Sequence, residues 1–254
     1  MSSFKQNEGN LNQDDSHIKE DNPFTSFYSQ FLHQGNMLAD LVRTGAYQQA
    51  MLANSIDFHN KVVLDVGTGT GILAFFAAQA GARFVYAVDA SDSVNIAKQL
   101  AKANGLESKV MVVKGKIEEV ELPGLEQING GYVDIIVSEP IGFLLVHERM
   151  LESYIVARER FLKPSVGLML PTSGDMILAP ITDAHEYQQQ LDKLQFWENK
   201  DFFGINLSSV SRMAREEAFS QAIIGYINPS HIISSQRIIH RVSAHIHSSD
   251  DHIV

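Results

Sequence analysis

The sequence predicts an α/β domain on a parallel, Rossmann-like sheet, followed by a smaller and mostly β unit. Three observations carry this expectation. Between residues 62 and 170, short apolar runs alternate with helical patterns, as in strands joined by crossover helices. The first apolar run ends in a glycine-rich turn, Asp65-Val66-Gly67-Thr68-Gly69-Thr70-Gly71. After Pro171 the alternation stops, and apolar runs follow without crossover helices between them.

Taken in order, residues 1–23 are rich in Asn, Gln, Ser and Asp and read as a disordered tail. From Phe27 the spacing of Phe27, Phe31, Leu38, Leu41 and Val42 predicts a helix. Arg43-Thr44-Gly45 is expected to break it, with a second helix over Tyr47 to Ala53. Strands are then expected over 62–66, 84–88, 110–113, 133–137 and 167–170. Helices are expected over 71–79, 94–103 and 148–161. The predicted boundary falls near Pro171, giving domains of 24–171 and 172–254. In the second, strands are expected over 176–181 and from about 222 to 247. A helical or irregular insertion over 185–219 carries Phe196-Trp197 and Phe202-Phe203. Exposed aromatics at that density usually seek a partner. His245 and His247 fit strand alternation, so no metal site is expected there. The closing residues His252-Ile253-Val254 read like the start of another strand. That predicts either a fragment or a covered sheet edge.

The bulk composition narrows the function classes. With 254 residues, 44% of them hydrophobic, the chain can form one large domain or two modest ones. A net charge of −10 argues against nucleic-acid binding through a basic surface. Cysteine is absent, which excludes disulfides, thiolate metal sites and a Cys nucleophile and suits a reducing compartment. Met1 to Asp21 lacks an apolar signal core, and no run approaches the ~20 apolar residues of a membrane helix.

Two motifs carry chemistry. Glycines at the end of the first strand permit a tight turn and close approach of a ligand to the backbone. The spacing is G-x-G-x-G, with Ile72 where a dinucleotide fingerprint has glycine. Asp89 ends the second strand, where an acid accepts hydrogen bonds from ribose hydroxyls. Together they favour a nucleoside ligand without a pyrophosphate, and S-adenosyl-L-methionine fits. The second motif is Ser138-Glu139-Pro140-Ile141-Gly142-Phe143, followed by His147-Glu148-Arg149-Met150-Leu151-Glu152. It puts two carboxylates on one short loop at the carboxyl edge of the sheet, where open α/β folds bind ligands. A guanidinium is a natural guest for two acids, because its N–H fork matches carboxylates bidentately. The plainer alternative is a helix N-terminus carrying favourable acids.

With these motifs in order, the chain resembles the protein arginine methyltransferases, and most closely their coactivator-associated, histone-arginine branch. The similarity runs from about Phe27 onward. It is dense in VRTGAYQQAML, VVLDVGTGTGILAFFAAQAGAR, GKIEEV, SEPIGF and ERMLESY. The resemblance implies a class I methyltransferase sheet, then an incomplete β-barrel-like domain with a helical dimerisation arm. It implies transfer of methyl groups from S-adenosyl-L-methionine to arginines of basic proteins such as histones, RNA-binding or transcription proteins, in nucleus and cytoplasm. A homodimer is implied, and neither nucleic acid nor membrane as a direct partner. Glu139 and Glu148 match the catalytic acids. Gln34, Arg43, Gly67, Gly69, Asp89, Glu118 and Ser153 match cofactor contacts, with Arg43 facing the methionine carboxylate and Glu118 the adenine amine. Tyr28 and Met37 match substrate-side positions, and Met37 goes with asymmetric dimethylation.

The chain departs from the family pattern in several places. Asp89 stands where the family usually has Glu, Ile141-Gly142-Phe143 where Met-Gly-Tyr is common, and His147 where Asn precedes the second acid. Residues 124–131 form an insertion. The family's Thr-His-Trp loop does not occur in these 254 residues. The expectation is therefore a chain that binds cofactor but methylates weakly or not at all. The alternative is a cofactor-binding paralogue or scaffold that dimerises with a longer relative.

Overall fold

The computed structural model describes residues 30–220, Ala222 and residues 225–244. The expected polar tail, Phe27, Tyr28, and the His245 and His247 pair lie outside the described residues. The described chain falls into two compact units that divide after Thr172 and again before Ser243.

In the first unit, the strands are β1 (Val62–Val66), β2 (Phe84–Asp89), β3 (Val110–Lys114), β4 (Ile135–Ser138) and β5 (Leu168–Leu170). They form one sheet in the order β3-β2-β1-β4-β5, and every pairing is parallel. The order reverses between β1 and β4. That crevice at the carboxyl ends is where open α/β sheets place their ligands. Helices α1 (Phe31–Ala39), α2 (Leu41–Ala53), α3 (Ser55–Phe58), α4 (Ile72–Gln79), α5 (Val94–Ala103), α6 (Leu125–Asn129) and α7 (Met150–Phe161) complete the unit.

The alternation of the strands explains why the sheet is covered on both faces. Val63 and Val85 pack into one buried cluster with Met51, Ala74 and Phe76. Val62, Leu64 and Val66 point the other way, into a cluster with Tyr86, Ile136, Tyr154 and Ala157. Each fully buried aliphatic side chain of this kind contributes about 1.5–3 kcal/mol. This is why the runs read as continuous hydrophobic stretches rather than as alternating ones.

One expectation fails here for a local reason. The first helical region breaks at Asp40, not at Arg43-Thr44-Gly45, which lie inside α2. The Asp40 carboxylate accepts the Arg43 N–H at 3.0 Å and caps α2, and an Asp cap outweighs the modest helix cost of Gly45. Phe31, Leu41 and Val42 are exposed, so the apolar stripe is not the packed face; Gln34 and Met51 are the buried positions. The insertion at 124–131 has structure of its own. It holds α6, flanked by Gly124 and Gly130, both at positive φ, a conformation that glycine adopts without steric cost.

The second unit pairs β6 (Ser173–Leu178) with β7 (Ile238–Ser243). Arg241 clasps Asp175 bidentately at 2.7 and 2.8 Å. The unit also holds α8 (Ala184–Leu194) and α9 (Ser211–Ala218). Strand was expected from about 222 to 247. Among the described residues only β7 and an isolated pairing of Ile181 with Ile232 form there. Pro229 instead opens a short 3-10 turn capped by Asn228, because proline cannot donate to a ladder. Trp197, Phe196, Phe202 and Phe203 stack edge-on in that order, at centroid distances of 5.3, 5.3 and 4.8 Å.

Asp65 sits fully buried near the carboxyl end of β1. Its Oδ2 accepts from the Thr68 hydroxyl at 2.6 Å and the Ala74 N–H at 3.0 Å. Burial nonetheless pushes its carboxyl up to about 7, with the Asp89 charge adding to the rise. The folded chain therefore keeps a proton that the unfolded chain releases. The associated stability is complete below the ordinary carboxylate value of about 3.9 and is lost as pH rises through the folded value. Asp65→Asn keeps the oxygen that Thr68 and Ala74 need and removes the titration. Chemical denaturation at about pH 5 and about pH 8 should show wild type losing stability relative to this variant as pH rises. Identical pH dependence in the two chains would rule out the buried proton.

Candidate active site

The glycine turn is fixed from below by the neighbouring strand. The Gly67 and Thr68 N–H groups both donate to the Val88 carbonyl, at 2.9 and 3.0 Å. The Gly69 N–H donates to Asp89 Oδ2 at 2.8 Å. The other Asp89 oxygen accepts the Ser91 N–H and hydroxyl, each at 2.7 Å. Asp89 is thus oriented by the turn it faces. Gly67 and Gly69 both lie at positive φ, and their missing side chains are used. A Cβ on Gly67 would come 2.7 Å from Met150 Cε, and one on Gly69 3.0 Å from Gln34 Oε1. Helices α7 and α1 therefore close onto the turn from two sides.

The second part of the site begins where β4 stops. The buried Ser138 hydroxyl donates to the Val66 carbonyl at 2.7 Å, tying β4 to β1. The next residue, Glu139, forms an ion pair with Arg43 of α2. One turn further along α2, the Tyr47 hydroxyl donates to the Ser138 carbonyl at 3.0 Å. Burial, with the charge of Glu139, raises the Tyr47 phenol well above its ordinary value, so it stays a neutral donor. Arg43 also donates to the Met37 carbonyl at 3.2 Å. Where the resemblance implied a cofactor carboxylate as its partner, Arg43 here engages the first acid of the loop.

The loop from Glu139 to Arg149 then folds back on itself. Leu144, Leu145 and Arg149 all take positive φ, at a cost of roughly 1–2 kcal/mol each for non-glycine residues. Strain of this kind clusters at functional loops. Glu148 lies against Gly142: a Cβ there would fall 2.8 Å from Glu148 Cγ and 2.9 Å from its backbone N. Only a glycine permits that approach. Arg149 pairs with Glu152 through two bonds of 2.8 Å.

The third part follows β3. Glu118 is exposed, and the Ser153 hydroxyl of α7 donates to its Oε1 at 2.6 Å. The fold thus brings Gln34, Gly67, Gly69 and Asp89 to one turn, joins Arg43 and Met37 to Glu139, and pairs Glu118 with Ser153. Tyr28 lies outside the described residues. Sequence reasoning missed Tyr47, although it stands four residues after Arg43 on the same helix face.

The comparisons agree with this architecture. A family model described as ribosomal protein L11 methyltransferase (PrmA) matches residues 49–147. The chain is 47% identical over 209 residues to a probable histone-arginine methyltransferase CARM1 of Oryza sativa subsp. indica, covering 82% of this chain and 38% of that protein. It is also 47% identical over 215 residues to the histone-arginine methyltransferase CARMER of Culex quinquefasciatus, covering 85% and 34%. Among solved structures it resembles Arabidopsis thaliana protein arginine methyltransferase 10 in an open conformation. That match has a TM-score of 0.71 and 37% identity, over 87% of this chain and 64% of that one. The PRMT1 enzyme–prozyme heterotetramer of Trypanosoma brucei with AdoHcy matches with a TM-score of 0.70 and 33% identity, over 87% and 65%.

The parallel sheet with its glycine turn is thus the Rossmann-like fold of class I methyltransferases. Over the span it shares with these relatives, the chain belongs to the protein arginine methyltransferase family. It spans a little over a third of the length of the curated relatives named here.

Proposed function

We propose that this chain binds S-adenosyl-L-methionine at the carboxyl edge of the sheet and serves methyl transfer to arginine side chains of basic proteins such as histones. One observation carries the reading. Glu139 is anchored by Arg43 at the end of β4, beside the glycine turn, where Met150 and Gln34 come closer to Gly67 and Gly69 than a side chain there would allow. The residues fit the cofactor's chemistry. The glycine turn admits a close backbone approach, and Asp89 and Glu118 supply carboxylates for ribose hydroxyls and a purine amine. When bound, the cofactor supplies a methyl group on a cationic sulfonium.

The chain's own residues do the rest. Glu139, with one oxygen held by Arg43, presents the other to the substrate guanidinium. Glu148 faces the same guest from the far side of the loop. Two carboxylates fix the planar cation and direct its nitrogen, and positioning and electrostatics dominate such in-line displacements. Either acid can take the proton that the methylated nitrogen sheds. Met37 occupies the position where Met goes with asymmetric dimethylation in the family the chain resembles, and that resemblance supports asymmetric dimethylarginine as product. Histone-type substrates suit a nuclear role.

Glu148→Gln removes charge needed mainly for the guanidinium. It should abolish whatever methyl transfer the chain supports, while calorimetry shows affinity for S-adenosylhomocysteine within about twofold of wild type. Normal transfer by the variant would overturn the assignment.

The second unit supports a homodimer through the segment 185–219, in which Phe203 is 92% exposed at the end of the aromatic stack. Sedimentation should show a dimer that weakens when Phe196 and Trp197 become Ala. A monomer at high concentration would contradict it.

A further inference from the structure

Helix α7 touches the turn after β3 at two places. Ser153 and Arg160 stand seven residues apart, two helical turns, and so share a face. Ser153 meets the Glu118 carboxylate. Arg160 Nη1 donates to the Ile117 carbonyl, and its Nη2 donates to the Val120 carbonyl at 3.0 Å. The same nitrogen lies 3.6 Å from Glu121 Oε1. The guanidinium also sits over the Phe161 ring, 4.7 Å from its centroid, a contact that restrains the side chain further. The two gripped carbonyls bracket Glu118 and Glu119. A planar fork reaching two backbone acceptors fixes the direction of a turn in a way that a point charge cannot.

The turn has backbone restraints of its own. The Gly115 N–H donates to the Asp89 carbonyl at 2.9 Å, the Glu119 and Val120 N–H groups donate to the Lys116 carbonyl at 2.9 and 3.0 Å, and the Ile117 side chain is buried in the core. These bonds shape the turn, but its Ile117 and Val120 carbonyls are held from outside it, by α7. Arg160 is the side chain that spans it from Ile117 to Val120. Glu118 is itself exposed, so its usefulness as an acceptor depends on where the backbone beneath it is held.

We propose that Arg160 is a positioning residue for purine recognition. By holding the Ile117–Val120 turn, it sets Glu118 where the carboxylate, steadied by Ser153, accepts the exocyclic amine of adenine. This rests on the reading that the edge site takes S-adenosyl-L-methionine. A carboxylate that accepts from a 6-amino group repels a 6-oxo group, so the role predicts base discrimination and not affinity alone.

The test measures binding of S-adenosylhomocysteine and its 6-oxo counterpart, S-inosylhomocysteine, by calorimetry. Wild type should prefer the adenosyl ligand by at least about tenfold, the worth of one charge-assisted hydrogen bond. In Arg160→Ala the adenosyl affinity should fall by about that factor, and the inosyl affinity should barely move. The preference then collapses. Arg160→Lys, which keeps the charge but reaches one carbonyl, should recover part of it. Should the Ala variant not fold, Arg160→Met keeps an apolar stem of similar length and carries the same comparison. If wild type binds neither ligand, the cofactor reading itself falls. If wild type discriminates and the Arg160 variants discriminate equally, or lose both ligands in equal proportion, the cofactor reading stands and the positioning role is overturned.

Discussion

The pinning of helix α2 onto the end of strand β4 is the constraint on which the rest of this site depends. Arg43 and Tyr47, one turn apart, meet Glu139 and the Ser138 carbonyl, while the Ser138 side chain ties the same point to β1. An acid at the end of a buried strand has a costly charge unless something answers it. Arg43 answers it, and Tyr47 satisfies the last carbonyl of the strand. The result is a carboxylate whose position is set by three elements of the fold rather than by its loop. Glu148 has a different kind of support, the bare backbone of Gly142. Glu139 is thus anchored by the fold, while Glu148 is carried on a loop in which Leu144, Leu145 and Arg149 take positive φ.

Helix α7 unites the two halves of the candidate site. Its first residue, Met150, lies over Gly67. One turn on, Ser153 holds Glu118, and near its end Arg160 grips the turn beneath. The acidic loop enters this helix directly. One helix thus carries the glycine turn's cover and the contacts that hold the turn bearing Glu118. Beneath them, Asp65 braces the turn through Thr68 and the start of α4 through Ala74. Its buried, proton-holding state links the stability of the sheet to the floor of the site.

Much of this was legible in the sequence, and the reasons are local. β1 and α5 run over the expected residues, 62–66 and 94–103, because a continuous apolar run and a strongly amphipathic stretch each have one good solution. The glycine turn and the acidic loop could be read because their chemistry lies within a few residues. What could not be read were choices of partner. Arg43 and Glu139 are separated by 96 positions, and no spacing rule tells an arginine which carboxylate it will meet. Arg160 gave no signal of its own, since gripping a carbonyl leaves no trace in sequence. The break at Asp40 was missed because a glycine inside a helical pattern draws more attention than the acid that caps the next helix.

The central claim is that this edge of the sheet is built for a guanidinium beside a nucleoside. Calorimetric titration of an arginine-bearing histone-type peptide, and of the same peptide with lysine in place of arginine, into the chain saturated with S-adenosylhomocysteine tests it most directly. The account predicts that the arginine peptide binds and the lysine peptide does not, because two carboxylates match a planar fork and not a point charge. Equal binding of the two peptides, or binding of the lysine peptide alone, would contradict it.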